Sequence, residues 1–199
     1  MSYPHTNAFG RAYHAAMGKP WQPSSHPIAY VDLTGGEAVW RGHLRDSYKS
    51  LVNWGRKNMD WEAGHRLVPT VKAFHEYIAG RATRPALTWN LMADEVEAGR
   101  GDCIIGRYNG RLAAASVFID GSAISIYWTG VYDRSLFPKP LAHYALWLGM
   151  KRAAERGMKT LELGDVPEPG TASDKEVAIG YFKRGFASVI AAPELRLTA

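Results

Sequence analysis

Two carboxylates stand close together in the segment KTLELGD, Glu162 within it and Asp165 at its end. A carboxylate at the C-terminal end of a strand can take a proton from an ammonium group, directly or through water, and so make an amine nucleophilic. The structural alternatives are a half-exposed strand position for Glu162 and a loop side chain capping backbone amides ahead of Pro167 for Asp165. Downstream, GYFKRGF carries Tyr181 and Lys183. A lysine at a helix end can neutralise a phosphate or a developing oxyanion, although the helix macrodipole favours a solvated lysine there as well. The Tyr181 phenol can protonate a leaving thiolate or alkoxide, or simply pack in a core.

Further residues suit binding. His143 and Tyr144 open a helix, whose N-terminus is a natural anion site, with core packing as the alternative. Tyr127 and Trp128, ahead of Gly130, can line an acceptor pocket or pack in a sheet. Arg41, Arg45, Lys49 and Arg56 fall at about 0°, 40°, 80° and 60° around the axis of one continuous helix, with Asp46 outside that arc. Such a stripe, about 22 Å long at 1.5 Å per residue, is either a solvated face or a contact for a polyphosphate chain such as tRNA. No serine or cysteine stands in a nucleophile motif, so direct attack without a covalent intermediate is the expected chemistry.

The elements that must position these residues alternate in type. Residues 1–26 are rich in Pro, Gly, Ser, His and aromatics and predict an irregular arm lying on the domain formed by 27–199. IAYVDL reads as a strand, and Thr34 with Glu37 as a capping box opening one long helix to about Asn58. Shorter helices are expected near 70–82 and 88–98. Three apolar strands follow, DCIIGRY, RLAAASVFID and SAISIYWTGVY, with Asn109-Gly110 and Asp120-Gly121 predicting type I′ turns and hence an antiparallel meander. A helix from about Pro140 to Arg156 stops at Gly157, KTLELG is a strand, and Ser173 with Glu176 caps a short helix ending near Gly185. FASVIAAPELRL returns as one or two strands.

Composition narrows the class. With 199 residues, 46% of them hydrophobic and 22% charged, the chain can bury a core of its own. No run is apolar enough for a membrane span, and the polar start predicts a cytoplasmic location. The lone Cys103 lies in an apolar run and reads as a buried strand residue, and the scattered histidines predict no metal site. A net charge of +5 gives a mild attraction for phosphate-bearing partners and decides little alone.

The segment YALWLGMKRAAERGMKTLELGD resembles the helix and strand of Fem-type peptidoglycan-bridge aminoacyltransferases. GYFKRGFA is similar to their short F-K-x-G-F signature, LRDSYKSLVNWGRKN to their opening basic helix, and YNGRLAAASV to their first hairpin. The resemblance implies a GNAT fold, α/β (α+β), with a mixed central sheet of six or seven strands opened in a V. It implies acyl or aminoacyl transfer to an amine, with Lys183 as the central cation of the site and Glu162 and Asp165 lining the cleft. SLFPKPLAHY stands where acetyl-CoA enzymes of this fold carry an R/Q-x-x-G-x-G/A pyrophosphate loop. The expected donor is therefore an aminoacyl-tRNA, with an acyl-CoA as the alternative. The expected acceptor is an amine-bearing small molecule or cell-envelope precursor. The family carries two such domains in tandem, so a homodimer or partner chain is expected to complete the groove. The competing class is a non-catalytic nucleotide- or RNA-binding module of the same fold.

Overall fold

Three apolar strands in succession make the centre of the sheet: β3 (Gly101–Tyr108), β4 (Arg111–Asp120) and β5 (Ile124–Tyr132), all antiparallel. The computed structural model describes residues 3–137 and 139–191. Asn109 and Gly110 both have positive φ, 51° and 76°, so the first turn is the type I′ hairpin that their types demand. The second expected hairpin turn differs. Neither Asp120 nor Gly121 has positive φ, and residues 121–123 form a wider link closed by Gly121 N–H donating to the Ile124 carbonyl at 2.7 Å. Asp120 is held instead by Arg156.

A parallel crossover extends the sheet. Helix α6 (Leu141–Glu155) leads from β5 to β6 (Thr160–Asp165), and Gly157 at φ 87° takes the left-handed position beyond its end. Strand β1 (Ile28–Asp32) lies on the other side of β6 and pairs antiparallel with it and with β7 (Val189–Ala191). A short strand β2 (Asp60–Ala63), which the sequence did not suggest, pairs with β3. The seven-stranded order is β2-β3-β4-β5-β6-β1-β7. The parallel pair is thus β5 with β6. The part of the C-terminal stretch beyond Ala191 lies outside the described residues.

Both faces of the sheet are covered, which is why β3 and β4 are apolar almost throughout. On one face, α6 packs with α2 (Gly36–His43) and α3 (Asp46–Asn58) around Trp40, Val52, Phe118, Leu146, Trp147, Leu161 and Leu163. On the other, α4 (Val68–Ala79) and α5 (Ala86–Glu97) bury Val71, Phe74, Trp89 and Met92 against Cys103, Val117 and Ile119. The C-terminal end of α6 is anchored by charge. Arg156 Nε donates to Asp120 at 2.6 Å and its Nη1 to Asp102 at 3.0 Å, and Arg152 also pairs with Asp102.

Two sequence expectations fail on the side that carries the site. The arm is not irregular throughout: Asn7 accepts from Gly10 N–H at 2.9 Å and caps α1 (Ala8–Ala16), which buries Phe9 and Tyr13 against the sheet. Gly10 is needed there, because a Cβ would lie 2.2 Å from the Pro4 carbonyl oxygen. The long helix is also broken. Thr34 forms no capping box; its hydroxyl donates to Asp32, and Leu44 and Arg45 are extended, with ψ of 138° and 134°. Tertiary contacts outweigh helix propensity at this point: Leu44 is buried, and Arg45 N–H donates to the Gly185 carbonyl at 2.9 Å. The second capping box forms as expected, with Ser173 and Glu176 bonding reciprocally at the start of α7 (Asp174–Arg184).

Candidate active site

The parallel pair opens partway along its length. β5 and β6 are paired only at Ile124–Thr160, Ser125–Leu161 and Ile126–Glu162. Beyond that point β5 keeps its partner β4 while β6 follows β1, so the two strands diverge. A bulge inserts Trp128 between the pairs Phe118–Tyr127 and Val117–Thr129 just where they part. Leu163, Gly164 and Asp165 border this V from β6, and Tyr127 to Tyr132 border it from β5.

Each side of the V presents different chemistry. Leu161 and Leu163 point into the core under α6, whereas Glu162 points to the opposite face, where the arm lies. It is fully buried, and the Tyr3 hydroxyl donates to its Oε2 at 2.7 Å. Trp128 faces the arm too, with ring centroids 4.5 Å from His5, 5.0 Å from Phe9 and 4.9 Å from Tyr13. Glu162 is therefore not the half-exposed strand position that the sequence alone suggests, whereas half-buried Trp128 packs among the arm's rings. Tyr3 was missed by sequence reasoning, since a tyrosine in a Pro- and His-rich arm carries no periodic signal.

At the open end of β6, Lys183 comes from α7 and its Nζ donates to the Asp165 carbonyl at 3.1 Å. The approach needs Gly164, whose φ is 83° and whose added Cβ would stand 3.2 Å from that Nζ. Asp165 and Lys183 are therefore brought together. Tyr181, on the same helix, is 63% exposed, and the Arg45 guanidinium lies 3.8 Å from its ring centroid while donating to its carbonyl at 3.1 Å. Arg45 also donates to the Tyr48 hydroxyl at 3.2 Å, so one side chain links α3 to the end of α7.

The first turn of α6 completes this side. The His143 ring is edge-on to Tyr48, 4.5 Å away, and to Phe182, 5.2 Å away. Burial among these rings lowers its pKa to about 4, outweighing the favourable Pro140 carbonyl and aided by the nearby Arg45 charge. A neutral imidazole results at pH 7. Tyr127 packs against Phe118 at 5.5 Å, and its hydroxyl lies over Gly130 and meets the Tyr132 hydroxyl at 2.7 Å. Burial, with Tyr132 adding to it, pushes the Tyr127 hydroxyl well above its ordinary pKa, and burial raises Tyr132 likewise. Both remain protonated hydroxyls along the edge of the V.

The basic stripe is not assembled. Arg41 belongs to α2, and Lys49 and Arg56 to α3, with the break at Leu44 and Arg45 between them. Lys49 pairs with Asp46 at 2.9 Å, within its own helix, and Arg45 turns to Tyr181.

A sheet that splays after three parallel pairs, with a bulge beside the opening, is matched by a wider similarity. Residues 54–176 match the family profile of an acetyltransferase (GNAT) domain. The chain belongs to that family. No curated protein matches it in sequence. Among solved structures, the GNAT domain is similar to FemX, with a TM-score of 0.70 and 9% identity over 86% of this chain and 60% of that one. It is also similar to the C-terminal domain assigned to a lysylphosphatidylglycerol synthetase of Agrobacterium fabrum, with a TM-score of 0.62 and 15% identity over 84% and 58%. L-PGS of Bacillus licheniformis matches with a TM-score of 0.54 and 14% identity over the same 84% and 58%. At such identities the likeness is one of fold. The GNAT domain spans about three-fifths of the length of these structures. Among the described residues, no helix is long and apolar enough to cross a membrane and no three His, Cys, Asp or Glu side chains converge.

Proposed function

We propose that this GNAT domain transfers an acyl or aminoacyl group to an amine held at the open end of β5 and β6. The observation that carries the reading is the bond from Lys183 Nζ to the main-chain carbonyl of Asp165 where the parallel pair has parted. The amine nitrogen attacks the carbonyl carbon of the donor, the carbon–nitrogen bond forms, and the ammonium proton passes to a carboxylate. The bond to the leaving thiolate or alkoxide then breaks, and that group takes up a proton. Asp165 is the better base, because Glu162 is covered by Tyr3. In this proposal Lys183 neutralises the oxyanion or the donor phosphate, and the exposed Tyr181 phenol reprotonates the leaving group.

For the donor, an aminoacyl-tRNA stays in the proposal beside an acyl-CoA, supported by the fold shared with FemX and by the lysyl group in the name of a second fold relative. The broken stripe withdraws the argument from helix charge. The acceptor proposed is an amine-bearing small molecule or envelope precursor, and a second copy or a partner chain is proposed to complete the groove. The experiment is to incubate the purified protein with radiolabelled acyl-CoAs or charged tRNAs and a panel of amines. Label in a base-stable amide is expected. Failure of both donor classes to label any amine overturns the reading.

A further inference from the structure

The arm forms an open cleft of its own. His5, Thr6, Arg11, His14, Lys19 and Trp21 line an open space of about 600 Å³ formed wholly by residues 5–21. That volume lies within the range of small-molecule sites, roughly 300–1,000 Å³. Its charge is one-sided, since the lining holds Arg11 and Lys19 and the chain has no Asp or Glu before Asp32. Among the described residues, no carboxylate forms an ion pair with either cation. One wall is flat and aromatic: Trp21 stacks on His5 with centroids 5.6 Å apart and planes 17° apart. His5 Nδ1 and His14 Nε2 share a hydrogen bond of 3.0 Å, which holds the His5 ring on which Trp21 stacks.

We infer that the arm cavity binds a small ligand with a carboxylate or phosphate group and a flat apolar body. Arg11 and Lys19 take the anionic group, and the Trp21–His5 stack takes the body. The site lies apart from Asp165 and Lys183 but touches the chemistry of the V. Tyr3, which bonds Glu162, has its ring 5.5 Å from His5 and 6.0 Å from Trp21. An occupant therefore braces the residue that covers Glu162.

Calorimetric titration of the whole protein with phenyl phosphate and with benzoate tests the site and separates the two anion types. Saturable binding of at least one is expected, weakened at least about tenfold by Arg11→Gln combined with Lys19→Glu and retained by Lys57→Ala on exposed α3. Arg11 also donates to the Thr6 carbonyl at 2.6 Å, so its loss can loosen the arm. Lys19→Glu alone, at an exposed position after the left-handed Gly18, keeps the test decisive if the double variant does not fold. The absence of saturable heat with both probes, or unchanged affinity in the charge-altered variants, overturns the inference. Because calorimetry needs no turnover, failure of acyl transfer would leave this result standing.

Discussion

The Tyr3 hydroxyl and the Glu162 carboxylate, 159 positions apart in the chain, meet at 2.7 Å in a buried contact. Burying an oxygen acid is costly unless a donor faces it, and here the arm supplies one. The arm is therefore part of the site's architecture. Under the proposed function, an acceptor approaching from the arm side would meet Tyr3 before Glu162.

Tyr3→Phe is expected to destabilise the fold by about 1–3 kcal/mol, because it keeps the ring and removes one donor from a buried carboxylate. Tyr77→Phe, at a position 72% exposed, should change little. Urea unfolding of the two variants beside the wild type checks this. Equal midpoints for all three would show that the Tyr3 contact contributes nothing net.

Stability should also depend on pH through His143. Its folded pKa of about 4 lies below the ordinary 6.5, so between these values the unfolded chain binds the extra proton. Stability from this group is complete above pH 6.5 and is lost as the pH falls towards 4, by about 3 kcal/mol at most. His143→Gln should flatten the wild-type slope between pH 4 and 6.5. Denaturation curves at pH 4.5 and 7 that keep the same spacing in both proteins would remove His143 as the cause.

Periodic elements were legible in the sequence, and positions set by distant contacts were not. The Asn109-Gly110 turn and the Ser173–Glu176 box depend on neighbours within three residues, and both form as read. The helix break at Leu44 depends on Gly185 and Tyr181, far along the chain, so local periodicity carried the helix straight through it. Asp165 and Lys183 could be named from residue type and motif, and the structure adds that they share one bond. Burial of Glu162 was invisible because its cover, Tyr3, lies in a segment without periodicity. The same limit hid the role of Asp120, whose partner Arg156 turns a presumed turn residue into an anchor.

That anchor yields a large expected effect. Arg156 faces Asp102 and Asp120, which are 3% and 4% exposed, and its loss leaves two carboxylates with poor compensation inside the fold. Arg156→Ala should cost about 3–5 kcal/mol, with Asp120→Asn in the same chain restoring part of it. Thermal melts report both. A melting temperature unchanged by Arg156→Ala would mean that Arg152 alone holds the end of α6.

Lys183 should divide stability from chemistry. Its Nζ bond to the Asp165 carbonyl is a neutral-acceptor contact at a half-buried position, and losing that bond in Lys183→Ala should cost about 1 kcal/mol of stability. If the same ammonium stabilises the oxyanion or the donor phosphate, turnover should fall by about 10²-fold or more. Lys183→Arg keeps the charge but not the fit beside Gly164, and is expected to recover little. The base is tested in parallel: Asp165→Asn should erase the acidic limb of the pH profile of acyl transfer, while Glu162→Gln, behind Tyr3, should keep it. Loss of that limb in Glu162→Gln alone would move the base to the arm side and require Tyr3 to lift during turnover. Wild-type rates in Lys183→Ala, with labelled amide still forming, would take Lys183 out of the site and leave its bond to Asp165 as packing.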